Sequence, residues 1–140
     1  MTTPEDPAQP WPAQWLRGVL DLAVLAVIAR EETYGYRIAN DLHDLGLGTV
    51  KGGTLYPLLA RLEETGAVDT TWREGESGPG RKWYAVTAAG RDRLHREGAR
   101  WRDFAHLTSG LVGEADEPVP DPAPPTSQDT PQNLDAGAQR

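Results

Sequence analysis

Residues 52–66, GGTLYPLLARLEETG, constrain this chain more than any other stretch. Leu55, Leu58, Leu59 and Leu62 recur at steps of three and four, which places them on one face of a helix. Two glycines and a threonine open that helix, and Gly66 closes it. Pro57 is expected near the fourth or fifth helical position, where its missing N–H has no partner to lose. The opposite face carries Gly53, Pro57 and Ala60, flanked by Tyr56 and Arg61. Such a helix can rest its leucines on a protein body and turn a small, hydroxylated and basic face to a polyanion. The expectation is a DNA-reading helix that the rest of the chain positions.

The flanking segments supply such a frame. Residues 1–14 hold four prolines and little apolar content, and read as a flexible arm with Trp11 and Trp15 as anchors near its end. From Leu16 to Ala29 the chain is almost continuously apolar and too long for a strand, so a buried helix is expected. Thr33 reads as the N-cap of a second helix, about Tyr34 to Leu45, with Ile38, Leu42 and Leu45 inward and Gly46 as its stop. Beyond Gly66, Val68–Trp72 and Arg81–Val86 are strand candidates joined by a glycine-rich turn, which makes a hairpin. Thr87 then caps a last long helix, about Ala88 to Val112. From Glu114 onward proline, acids and polar residues dominate, and the tail reads as disordered.

The fold class is therefore mainly α with a small β-hairpin: a winged helix-turn-helix plus a long C-terminal dimerisation helix. The expected divisions are an arm at 1–14, a DNA-binding domain at 15–87, a dimerisation helix at 88–113 and an acidic tail at 114–140. Leu94, Trp101, Phe104, Leu107 and Leu111 have no apolar partner in so small a body, so they read as a dimer interface. Two copies joined there would set their reading helices about one DNA turn apart, roughly 34–36 Å.

Charge does not oppose this reading. The formal net charge is −7, yet Leu16–Gly113 holds 13 basic and 13 acidic residues, so the excess acid lies at the ends. There is no cysteine, which removes disulfides, thiol nucleophiles and cysteine-bound zinc. The N-terminus lacks the basic start of a secretory signal, and the longest apolar run, Leu22–Ala29, is far short of the roughly 18 residues of a membrane span. A soluble cytoplasmic protein is expected. His43, His95 and His106 share no ligand spacing and no serine or threonine has an identifiable base, so neither a metal, a cofactor nor an enzyme is expected.

Candidate contacts follow from the chemistry of a helix N-terminus, whose amides at Gly53 and Thr54 favour an anion. Gly53 and Pro57 leave room for close approach, Thr54 and Tyr56 bring hydroxyls, and Lys51 and Arg61 bring charge. Arg61 suits guanine O6 and N7; the alternative is an ion pair with Glu64 or Asp69. Tyr56 either packs against the wing or reaches DNA, and of Tyr34 and Tyr36 one packs while the other can offer its hydroxyl to phosphate. Arg81 and Lys82 place two cations beside the hairpin turn, against the alternative of a merely solvated tip diluted by Glu74 and Glu76. Gly75 to Lys82 lacks the Gly-Lys-Ser/Thr ending of a phosphate-binding loop, and that reading is rejected. Trp101 is either an interface anchor or, with Trp15, Phe104 and Val24 or Val27, the wall of a pocket for a flat aromatic effector. A winged-helix protein-interaction module without DNA affinity is the alternative function.

These blocks together resemble the PadR family of bacterial transcriptional regulators. The carriers are Leu16-Arg17-Gly18, Tyr34-Gly35-Tyr36-Arg37-Ile38, Gly53-Thr54-Leu55-Tyr56-Pro57-Leu58, Arg61-Leu62-Glu63 with Gly66, Arg81-Lys82-Trp83-Tyr84 with Thr87 and Gly90, and Trp101. The resemblance spans about Leu16–Gly113 and is similar to the shorter subgroup, whose single C-terminal helix dimerises. It implies a homodimer, usually a repressor bound to an operator in double-stranded DNA, often released by a small aromatic or hydrophobic molecule. It also favours Tyr36 for phosphate. Lys51 stands where relatives often have a serine cap, and the acidic tail has no transferable counterpart.

Overall fold

Pro12 opens the first helix, α1 (Ala13–Arg30), and its carbonyl accepts from the Trp15 and Leu16 amides. The computed structural model describes residues 9–75 and 78–113; the tail at 114–140 lies outside them, as does most of the N-terminal arm. Leu20, Val24, Leu25, Val27 and Ile28 bury the inner face of α1, as the apolar run predicts. Just ahead of α1, the Trp11 indole N–H donates to the Gly46 carbonyl at 2.7 Å, and the Gln9 amide donates to the Thr49 carbonyl. Residues 9–12 thus lie along the turn that precedes the third helix.

Thr33 is not a helix cap. Thr33–Tyr34 form a short strand, β1, with the backbone of Tyr34 extended at φ −138° and ψ 166°. It pairs antiparallel with the strand Arg81–Val86, Thr33 opposite Tyr84 and Tyr34 opposite Trp83. β-Branched and aromatic side chains suit that placement. The Tyr34 ring meets Trp83 edge-on at 4.9 Å, and Thr33 is buried with its hydroxyl unpartnered among the described residues. The predicted hairpin is therefore the larger part of a three-stranded sheet, ordered β1-β3-β2, with β2 at Val68–Arg73 and β3 at Arg81–Val86.

The second helix, α2 (Gly35–Leu42), is shorter than expected and passes into a π-helical turn at His43–Leu47. Gly46 at φ +105° breaks the helix inside that turn, so Leu45 leaves the core face and is exposed, while Ile38 and Leu42 are buried. A second left-handed glycine, Gly48, completes the reversal. The third helix, α3 (Gly52–Glu64), buries Leu55, Leu58, Leu59 and Leu62, the four predicted from spacing. It ends at Gly66, φ +81°, with the Gly66 amide on Glu63 and the Ala67 amide on Leu62, a Schellman closure.

Pro57 lies later in α3 than predicted. Bonding already begins with the Thr54 and Leu55 amides, both on the Lys51 carbonyl at 2.9 Å, so Pro57 stands inside the ladder and takes the donor from Gly53. Gly53 is exposed, so the carbonyl that Pro57 leaves without a donor is not on a buried residue.

The last helix, α4 (Ala88–Gly113), is capped as expected: the Gly90 amide donates to Thr87 Oγ1 at 2.9 Å. The Thr87 hydroxyl itself donates to the Gly66 carbonyl at 2.6 Å, tying the start of α4 to the end of α3. Gly90 is buried, and a β-carbon there would collide with the Ala67 carbonyl and approach Val86 Cγ2 to 2.9 Å. Leu94, expected at a dimer interface, packs against the core of its own chain. The chain divides into two compact units at Asp103/Phe104. In the second, Phe104, Leu107, Leu111 and Val112 are exposed. Among the described residues no helix is long and apolar enough to cross a membrane, and no group of three or more His, Cys, Asp or Glu could hold a metal.

Candidate nucleic-acid interface

With its leucines buried, α3 turns Gly53, Pro57, Ala60, Tyr56 and Arg61 outward, all of them exposed. Lys51 is its N-cap and makes no side-chain cap bond. The amides of Gly52 and Gly53 therefore point from the open end of a thirteen-residue helix, where the dipole favours negative charge. Lys51 and Thr54 share a cleft of about 200 Å³ with Arg17 of α1. Arg17 escaped notice as a contact, although the Leu16-Arg17-Gly18 block contains it. Its signal is spatial: α1 runs past the N-terminus of α3.

A wider groove, about 540 Å³, runs between α3 and the sheet. Tyr36 and Tyr56 stand in it with Arg81, Lys82 and Trp72, over a floor that includes Tyr34, Gly35 and Tyr84. Tyr36 is 69% exposed and Tyr56 53%. Tyr56 also packs: its hydroxyl end fills the space that a side chain at position 35 would need, with the oxygen nearest and Cε1 and Cζ 2.7 and 2.8 Å from where a β-carbon on Gly35 would sit. Tyr56 therefore packs on Gly35 of α2 through its hydroxyl end, while about half of the residue stays exposed. Tyr34 is the packing member of its pair, held between Trp83 and the Arg81 guanidinium, 4.3 Å above its ring.

The cations differ in their partners. Arg61 reaches neither Glu64 nor Asp69; its Nη2 lies 3.4 Å from Asp21 Oδ1 on α1. Lys82 Nζ is 3.0 Å from Glu63 Oε1, at the end of α3, and Thr70 Oγ1 donates to Glu63 Oε2 at 2.8 Å. The Thr70 hydrogen bond, and then Lys82, hold the Glu63 carboxyl below its ordinary range, while Glu63 raises Lys82. Arg37 pairs with Glu31, and Arg73 pairs with Glu32 while lying 4.4 Å over Trp83. Among the described residues, Arg17, Lys51 and Arg81 have no ion-pair partner on this side. Of the expected effector residues, Trp15 lies against Trp11 at 6.5 Å, and neither Trp15 nor Trp101 lines either cleft; Trp101 is 40% exposed.

The sequence profile of the transcriptional regulator PadR-like family matches residues 24–96. The chain belongs to the PadR-like family. Among solved structures, a PadR-like transcriptional regulator from Bacillus cereus is 32% identical, covering 71% of this chain and 97% of that one, with a TM-score of 0.65. A PadR family regulator from Eggerthella lenta is 34% identical over 71% of this chain and 86% of its own, with a TM-score of 0.64. An uncharacterized Lysinibacillus sphaericus protein is 28% identical over 94 residues, 66% of this chain and 86% of that protein. The three helices and three-stranded sheet are thus a PadR-like winged helix. The profile match takes in the whole α3–wing groove and leaves Trp15, Arg17, Trp101 and Phe104 outside its span.

Proposed function

We propose that this PadR-like regulator is a homodimeric repressor that inserts α3 into the major groove of an operator. The observation that carries the reading is the outward face of α3: small residues and two open amides at its start, with the exposed side chains of Tyr36 and Arg81 beside it. Small residues allow the close approach that base-edge contact requires, and the surrounding hydroxyls and cations suit phosphate. Lys51, Thr54 and Arg17 would grip the backbone at the N-terminus of α3, and Arg61 would leave Asp21 for a base or phosphate.

Dimerisation is assigned to α4, whose Trp101, Phe104, Leu107 and Leu111 side chains are exposed and apolar. Release by a flat hydrophobic effector is assigned to Trp101, paired with its symmetry mate or with Trp15 and Phe104. A gel shift on the DNA upstream of its own gene tests the reading: a folded protein that fails to bind at low salt overturns it and leaves a protein-interaction module. Sedimentation of Trp101→Ala tests the dimer, which is expected to dissociate or to lose its response to effector. A variant that stays dimeric and responsive removes Trp101 from both roles.

A further inference from the structure

Lys82 is the wing cation that the sequence offers to phosphate, yet its ammonium is already engaged. Glu63, in the last turn of α3, holds both strands of the wing at once. One oxygen takes Lys82 of β3 at 3.0 Å and the other takes the Thr70 hydroxyl of β2 at 2.8 Å. The Lys82 ammonium also lies over Tyr84, with Nζ 5.9 Å from the ring centre. Side-chain exposures of 38% and 39% leave the pair partly open to solvent, with Lys82 on the lining of the groove. A lone exposed ion pair has little hold on geometry, whereas a carboxylate whose two oxygens bond different strands is held from two directions.

We infer that Glu63 is a positioning residue and Lys82 its strut: together they set the gap between the reading helix and the wing. This rests on the DNA-reading function proposed above. In that setting the groove bounded by Tyr56, Ala60, Trp72 and Arg81 admits one strand of the sugar-phosphate backbone, and its width decides how deeply α3 seats. Lys82 then contributes to specificity through geometry, while the phosphate charge count comes from other cations such as Lys51 and Arg81.

A charge swap separates the strut from a phosphate contact. Lys82→Glu alone removes the attraction and is expected to lower operator affinity by about tenfold or more. Adding Glu63→Lys restores the pair with its polarity reversed, and Thr70 can accept as well as donate. Affinity for the operator then recovers toward the parent value. A double variant as weak as Lys82→Glu alone overturns the strut; so does recovered affinity without recovered exchange protection in DNA-free protein, since a lysine on α3 can itself attract phosphate. Salt titration gives a second reading. Lys82→Met leaves the slope of log affinity against log salt unchanged, whereas Lys51→Ala lowers it by about one unit; a drop of one unit for Lys82→Met also overturns the inference. Hydrogen exchange of Val68–Val86 in DNA-free protein supplies the control. Glu63→Gln speeds it and the swap restores protection. A parent that binds no DNA sinks the function reading instead, and the strut is then judged by exchange: recovered protection in the swap supports it, and none overturns it.

Discussion

The body beneath α3 and the wing beside it are held by different forces. Under α3, Val24, Leu25, Ile28, Ile38, Leu42, Leu55, Leu58, Leu59 and Leu62 are all fully buried. In β2 and β3 only Val68 and Tyr84 are buried. The rest of the wing relies on its strand ladder and on charged contacts: Arg73 on Glu32 and Trp83, Arg81 on Tyr34, Lys82 on Glu63. Apolar burial is close-packed and indifferent to ordinary salt. Exposed ion pairs are screened, with a Debye length of about 10 Å at 0.1 M. α3 thus rests on contacts that salt does not touch, while the Arg73–Glu32 edge of the wing is held by one that salt screens.

The sharpest way to break this contrast is to cut into the body. Leu59→Ala is expected to cost about 2–5 kcal/mol of unfolding free energy in a denaturant titration, since it opens a cavity in a close-packed interior. A loss below about 1 kcal/mol would mean that the body is no tighter than the wing. Gly90→Ala comes next, at about 1–3 kcal/mol, because its β-carbon must push against the backbone of Ala67 where wing and α4 meet. That cost appears whatever the salt concentration; one that vanished in high salt would put the junction on the electrostatic side of the divide.

Smaller effects belong to the wing. Arg73→Ala should change global stability by less than about 1 kcal/mol, yet speed hydrogen exchange in β2 and the outer half of β3. In the parent, raising salt should produce the same local loosening while leaving α1 and α3 protected. Equal loosening of both regions would erase the distinction. The smallest effect is on pH. The Glu63 pKa is lowered on folding, so its contribution is present above the unfolded value and is lost as pH falls through the folded one. The Lys82 pKa is raised, so its contribution is present below the unfolded value and is lost as pH rises through the folded one. Wing exchange free energies should therefore be flat from about pH 5 to 10. They should weaken only outside that window, and a midpoint near neutrality would show that another group holds the wing.

The same divide separates what was legible in the sequence from what was not. The four leucines of α3, its Gly66 stop, the two hairpin strands and the Thr87 cap are local patterns, with each signal carried by neighbours in the chain. β1 was missed because two residues show no period, and Thr33 ahead of Gly35 resembles a helix start until Tyr84 and Trp83 arrive from far along the chain. Within the candidate site, the outward face of α3 with Tyr56 on its flank was readable from helical spacing, whereas Tyr36 over Tyr34 came from the family resemblance and not from its period. The partners of the cations were not. Arg61 was offered Glu64 and Asp69 by proximity in sequence and took Asp21 from another helix, and Lys82 took Glu63. Periodicity locates a face; only the tertiary fold says which charges meet across it.

Gly35 and Tyr56 carry a consequence for how this sequence can drift. Helices α2 and α3 meet where the tyrosine ring occupies the volume of an absent side chain, so the two positions form one choice rather than two. A β-carbon at 35 has to arrive with a smaller residue at 56, and a smaller residue at 56 strips a wall from the groove. Neither single step leaves both packing and groove intact. A lineage that changed one position would have to cross a damaged intermediate to change the other, which makes this contact a barrier in the space of neighbouring sequences.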